Sequence, residues 1–303
     1  MGGAIATSGD CALTQITPDD TLGAESSVVT PTNNNGVSTN QIDGGATRGA
    51  NLFHSFEQFS VPTGGAAYFN NALNIQNIIG RVAGGSVSNF DGLIRANGTA
   101  NLFLLNPNGI IFGSNASLNI GGSFVGSTAS SLNFADGNSF SASAHPTTPL
   151  LTVSVPLGLQ FGGNPGSIVN QSQAQSFTGE TNSDGGPVGL QVQPGKTLAL
   201  LGGDVVLDGG NLTAKGGRIE LGSVAGSGEV SLSQIGNNWV LGYDTLNIFG
   251  DIRLQGGLLV DASGEGGGDV QIQGARLEMT QGANIFADTL GTEAGGEVLV
   301  RTT

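Results

Sequence analysis

Basic side chains are scarce in this chain. Nine lysines and arginines stand against 23 aspartates and glutamates, with Lys196 and Lys215 the only lysines, so the formal charge is −14 over 303 residues. That balance excludes the basic patches that nucleic acid or an anionic membrane surface requires, and no nucleic-acid partner is expected. Cysteine is almost absent. Cys11 stands alone, which rules out a disulfide framework and a thiolate metal cluster. One cysteine fits a reduced cytosolic protein. It fits equally a chain that crosses an oxidising compartment unfolded, where a premature disulfide would jam a narrow pore. No apolar run reaches the length of a membrane-spanning helix. Residues 1–14 lack the basic start and continuous apolar core of a signal peptide and read as an unstructured leader remnant.

What the chain has in excess is glycine, 53 residues, with charged residues at only 11%. Such a composition alone would permit disorder, but the aliphatic residues are regularly spaced, which disorder does not require. Gly pairs at 202–203, 209–210 and 216–217 step by seven and frame DVVLD, NLTA and RIEL. Within these frames Val205 and Leu207, Leu212 and Ala214, and Ile219 and Leu221 repeat at the same step. A heptad can mean a coiled coil, but here the apolar pair is i, i+2, the period of a strand. Interior glycines would also cost a helix roughly 1 kcal/mol each. Three such sides make one coil of a three-sided β-helix, in which Val205, Leu207, Leu212, Ile219 and Leu221 point inward. Their outward neighbours, Asp204 and Glu220 among them, are expected in solvent. The pattern resumes at Val270 and Ile272, Leu277 and Met279, Ile285 and Ala287, and Val298 and Val300. It is still running at Thr303, so further coils are expected beyond it.

Residues 101–128, NLFLLNPNGIIFGSNASLNIGGSFVGST, hold short apolar runs separated by turns. The sharpest turn is Asn106-Pro107-Asn108-Gly109, followed by Ile110. Proline fixes the turn's second position and forces Asn106 to be extended, while Asn108 and Gly109 tolerate unusual φ. Upstream, residues 15–60 read as a cap over the open apolar end of the helix, with Leu52, Phe53, Phe56 and Phe59 as its packing cluster. The strand rhythm is expected from about Ala66. Residues 133–185 break it with Pro146, Pro149, Pro156 and Pro165, and with apolar strands expected at 150–155 and 157–161. They read as an excursion, a hairpin or small sheet laid on the side of the helix. Trp239 is expected as a core or lateral packing residue.

Catalytic signatures are missing. The acidic residues are scattered, and no serine-hydrolase, phosphate-loop or zinc-protease motif occurs. GEGGGDVQI at 264–272 resembles one calcium-binding nonapeptide without its tandem repetition and reads as a turn. The two histidines, His54 and His145, are far apart and read as packed or exposed. No cofactor or metal is expected.

The text NLFHSFEQFSVP at 51–62, RVAGG at 81–85, SNFDG at 88–92, NLFLLNPNGIIFG at 101–113 and GGSFVGSTAS at 121–130 resembles the N-terminal secretion (TPS) domain of filamentous-haemagglutinin-type two-partner secretion exoproteins, most closely the cyanobacterial members. The resemblance covers roughly residues 15–200. It implies an all-β fold, a right-handed parallel β-helix with an N-terminal β cap and an extra-helical β excursion. The secretion domain is then expected over 15–245, with 246–303 as further coils continuous with it. A second motif of part of the family, Asn-Pro-Asn-Leu, is absent, since the text after Asn70-Asn71 reads ALNIQNIIG. The resemblance implies no enzyme, but a monomeric domain recognised by an outer-membrane transporter through its periplasmic POTRA domains. The protein would then be secreted or held on the cell surface of a Gram-negative-type bacterium. A carbohydrate-binding or polysaccharide-cleaving β-helix is the alternative, motivated by fold analogy alone. Asn106, Pro107, Asn108, Gly109 and Ile110 are the family's secretion motif. None carries a charge for steering, so a structural corner is expected, with Asn108 as the amide that satisfies turn backbone. Recognition would instead use strand edges of the cap or the excursion.

Overall fold

The computed structural model describes residues 15–34, 36–142 and 151–303. The expected leader remnant at 1–14, Cys11, His145, Pro146 and Pro149 lie outside the described residues.

Three stacks of strands build the body. The long face runs Ile16–Pro18, Asn51–Phe59, Asn77–Val82, Asn101–Leu105, Phe124–Ser127, Thr197–Gly202, Arg218–Ser223, Asp269–Gly274 and Val298–Thr302. From Asn51–Phe59 onward every pairing on it is parallel. The second face stacks Ser88–Phe90, Ile110–Phe112, Ile168–Asn170, Val205–Asp208, Asp251–Gln255 and Arg276–Met279. The third begins with the antiparallel pair Ser27–Asn34 and Val37–Gly44. It continues in parallel through Gly65–Phe69, Leu93–Ala96 and Ser117–Asn119. Leu190–Gln191, Leu212–Thr213, Leu259–Asp261 and Asn284–Phe286 stack as the later strands on that side. The chain visits the three faces in turn, which makes a parallel β-helix. Among the described residues the only helical turn is the 3₁₀ turn Gly23–Glu25.

The registers follow the heptads. Leu198 pairs with Ile219 and Val270 with Val298, each one coil apart. Val205, Leu207, Leu212, Ala214, Ile219 and Leu221 are all buried in the helix core. Aromatic rings thread its N-terminal half: Phe56 stacks on Phe59 at 4.8 Å, Phe59 meets Phe90 at 5.4 Å, Phe90 meets Phe112 at 5.6 Å, and Phe112 meets Phe124 at 6.1 Å.

The outward side of the long face departs from the expectation of polar neighbours. Phe53, Ile79, Phe103, Leu105, Val125, Ala199 and Leu201 form a second buried core. A lateral antiparallel sheet covers it, ordered Ser139–Ser141, Ser131–Phe134, Pro156–Phe161, Gly228–Ile235 and Asn238–Gly242. Leu102–Leu105 and Leu198–Leu201 are therefore apolar at consecutive positions, because both faces of these strands are dry. The excursion expected at 133–185 supplies only part of this sheet. Ile168–Asn170 is already back in the helix, and residues 151–155 form no strand. The other half comes from Gly228–Gly242, where Trp239 meets Phe103 edge-on at 5.2 Å.

Glu220 is a correction. Expected in solvent, it is fully buried, whereas Asp204 is partly exposed. Its side chain does face away from the helix, but Asn238–Gly242 lies over it. The carboxylate ion-pairs with Arg218 at 2.5 Å and accepts the Leu241 amide at 3.4 Å.

The N-terminal cap is also smaller than expected. Asn51–Phe59 already pairs in parallel with Asn77–Val82, and Val37–Gly44 with Gly65–Phe69, so helical stacking begins before Ala66. The antiparallel strands Ile16–Pro18, Ser27–Asn34 and Ala46–Arg48 close the end. The expected packing cluster divides between two cores: Leu52, Phe56 and Phe59 enter the helix, whereas Phe53 faces Phe134 and Phe140 under the lateral sheet.

Candidate functional site: the Asn106 corner and its neighbours

Asn101–Leu105 on the long face and Ile110–Phe112 on the second face are one chain turning a corner. Gly109 N–H donates to the Asn106 carbonyl at 3.1 Å, closing a four-residue turn with Pro107 at its second position. Gly109 has φ 125°, and a Cβ there would lie 3.1 Å from the Ser167 carbonyl oxygen, so the corner needs glycine. Asn108, expected to share the unusual φ, does not have positive φ.

The buried amide of this turn is Asn106, not Asn108. Asn106 is fully buried, Asn108 is exposed and Pro107 is half-buried. Asn106 Nδ2 donates to the Ser86 carbonyl and to Ser88 Oγ, both at 2.9 Å. Its Oδ1 accepts the Asn108 backbone N–H at 3.0 Å and Asn108 Nδ2 at 3.1 Å. The whole hydrogen-bonding capacity of one amide is thus used.

The corner is tied to the coils on both sides. Ser88 N–H donates to the Gly109 carbonyl from the coil before. Asn106 N–H donates to Ser127 O, Ile110 N–H to Ser167 O, and Gly166 N–H to Pro107 O at 2.8 Å in the coil after. A Cβ on Gly166 would fall 2.4 Å from the Asn108 carbonyl carbon, so Asn164-Pro165-Gly166 stacks directly on the motif. Ile110 is buried in the helix core. The five motif residues are therefore brought together as one corner in a column of corners. Their buried members face the stack, and Asn108 faces solvent.

Two further constellations escaped the sequence reading. An amide ladder climbs the start of the long face. Asn77 Nδ2 donates to Asn51 Oδ1 and Asn101 Nδ2 to Asn77 Oδ1, both at 2.9 Å, and Ser123 N–H donates to Asn101 Oδ1 at 2.9 Å. Thr197 N–H continues it to Ser123 Oγ at 3.0 Å. Asn51 closes the upper end on the Thr152 and Ser154 carbonyls. The available signal was an asparagine opening each of NLFHSF, NIIGRV and NLFLL.

The second constellation centres on Arg81. Its Nε donates to Ser55 Oγ and one Nη to Thr21 Oγ1, both at 2.8 Å, and the other Nη donates to the Ser141 carbonyl. Asp19 accepts from Ser55 Oγ and Thr21 Oγ1 and supplies the countercharge. Burial still lowers the Arg81 pKa to about 10, so it remains a cation at neutral pH. His54 is also buried and accordingly neutral, its pKa lowered to about 3 by burial, with Nδ1 2.9 Å from Ser27 Oγ.

Residues 14–272 match the family model described as the TPS secretion domain. No curated protein matches at a significant level. Among solved structures, the HMW1 secretion domain from Haemophilus influenzae is similar at 16% identity and TM-score 0.42, covering 91% of this chain and 85% of that one. The filamentous hemagglutinin secretion domain is similar at 14% identity and TM-score 0.38, covering 94% and 99%.

Proposed function

The chain belongs to the TPS secretion domain family, and from that premise we propose that it is the recognition and fold-nucleating segment of an exoprotein carried across the outer membrane by a cognate transporter. The family is a secretion-domain family, and a route through the periplasm of a Gram-negative bacterium is part of this proposal. The finer reading is that the folded or folding domain, as a monomer, engages the transporter's periplasmic POTRA domains and then templates the coils that follow.

One observation carries this reading: the Asn106 corner is bonded to the coil before it and the coil after it. A single β-helical coil cannot bury enough apolar surface to order itself and is stable only on a formed neighbour. A corner that bonds to both neighbours helps set the register in which the first coils stack. Growth outside the cell would then oppose back-sliding, without any other energy source at the outer membrane. Strand edges, rather than the motif, are the surfaces suited to recognition. Co-expression with the transporter tests the reading: the chain should appear outside the cell only when the transporter is present. Equal export without it would remove the proposal.

A further inference from the structure

The Ser27–Asn34 strand pairs on one side only, with Val37–Gly44. Its register runs from Asn34 opposite Val37 to Ser27 opposite Gly44. In an antiparallel pair, directly opposed residues alternate between exchanging backbone bonds and turning them outward. Gly45 N–H donates to Ser26 O at 3.5 Å, and Asn70 N–H to the Ile42 carbonyl on the far side at 3.0 Å. Val28, Thr30, Thr32 and Asn34 therefore bond inward. Val29, Pro31 and Asn33 turn their backbone groups to the outer edge. There, among the described residues, the Val29 and Asn33 N–H groups and the three carbonyls meet no partner.

Among the described residues, the edges of the lateral sheet and of the other strands at this end are covered or only three residues long, Ala46–Arg48 included. On Asn238–Gly242, Thr197 Oγ1 bonds both Trp239 N–H and the Trp239 carbonyl, at 2.8 and 3.2 Å. Glu220 Oε1 accepts the Leu241 N–H, and Gln271 Nε2 donates to the Leu241 carbonyl at 3.0 Å. Ser88–Phe90 is covered by Val61, which bonds Asn89 O at 2.9 Å and Asp91 N–H at 2.7 Å. Ile16–Pro18 and Ser139–Ser141 have only three residues each, and Arg81 occupies the Ser141 carbonyl. Ser27–Asn34 is eight residues long and carries no charged side chain, so Pro31 is the one guard residue on this edge.

We propose that a partner β-strand adds to the outer edge of Ser27–Asn34, and that this strand belongs to the periplasmic domains of the transporter. The inference rests on the secretion reading above. A second copy of this chain fits poorly. Two such edges paired antiparallel about Pro31 would set two prolines together, neither able to donate. A partner strand with ordinary residues loses a single bond at Pro31 and keeps those at Val29 and Asn33.

The test measures binding of the full chain to the intact, detergent-solubilised transporter. The double variant Val29→Pro, Asn33→Pro removes two donors that are idle in the free domain. It also removes the Val29 packing on the helix core and the Asn33 Oδ1 bond to Gly36 N–H, so it should melt lower while still folding, and weaken binding about tenfold or more. Pro31→Val adds a donor to the same edge and should tighten binding several-fold. Wild-type binding left unchanged by the double variant overturns the edge assignment. If the double variant fails to fold, Pro31→Val decides, and unchanged affinity overturns it. No binding by the wild-type chain overturns the secretion reading itself, and this inference with it.

Discussion

The Arg81 guanidinium lies over the ring of Phe140, 4.2 Å from its centroid. Arg81 comes from the long face and Phe140 from the lateral sheet, and Thr21 from the cap completes the set. A buried cation thereby makes three segments, distant in sequence, depend on one another.

Arg81→Met should cost about 2–4 kcal/mol, because Asp19 loses its countercharge and the Ser141 carbonyl its donor. Hydrogen exchange should rise together at 16–22 and at 131–141. A rise confined to one of the two segments would show that Arg81 does not couple them.

Glu220 makes stability depend on pH. Burial raises its pKa to about 7 from the ordinary 4.5. The folded state then holds the proton more tightly than the unfolded state between those values. Its stabilising contribution is fully present below about pH 4.5 and is lost as pH rises to about 7. Glu220→Gln should remove this loss, on the order of 3 kcal/mol. Melting curves of wild type and variant should diverge between pH 5 and 8, and parallel curves would contradict the assignment.

The amide ladder predicts an asymmetry between two asparagines that the sequence does not distinguish. Asn77→Ala leaves Asn51 Oδ1 and Asn101 Nδ2 unpaired and should cost about 1–3 kcal/mol. Asn70 is exposed, bonding Asp43 at 2.7 Å, and Asn70→Ala should stay within about 0.5 kcal/mol. Denaturant midpoints of the two variants check this.

Much of the helix was legible because its signal is local. Val205, Leu207, Ile219 and Leu221 sit at strand period within glycine frames, and their inward placement needs no knowledge of distant partners. The lateral sheet was only half legible. Residues 133–185 announce themselves by interrupting the rhythm, although only their first part lies in the sheet, but Gly228–Gly242 joins the sheet by pairing Gly158 with Ser231 across a long stretch of chain. The same non-local cover explains Glu220, whose position on the strand was read correctly and whose burial was not. A cue existed in Leu198–Leu201, where alternation fails and cover on both faces is implied. At the corner, the turn chemistry of Pro107 and Gly109 was legible. Which asparagine is buried was not, since Ser86 and Ser88 sit on another coil.

The central claim, that the motif acts by holding a corner, is tested most directly by Asn106→Ala, measured for thermal stability as a purified domain and for export beside its transporter. Losing the Asn106 amide unpairs Ser88 Oγ and the Asn108 amide, at about 1–3 kcal/mol. Asn106→Ala should therefore lower melting temperature and export together, while Asn108→Ala, on an exposed residue, should change both far less. Wild-type stability of Asn106→Ala with abolished export would show that the motif is a contact surface for the transporter.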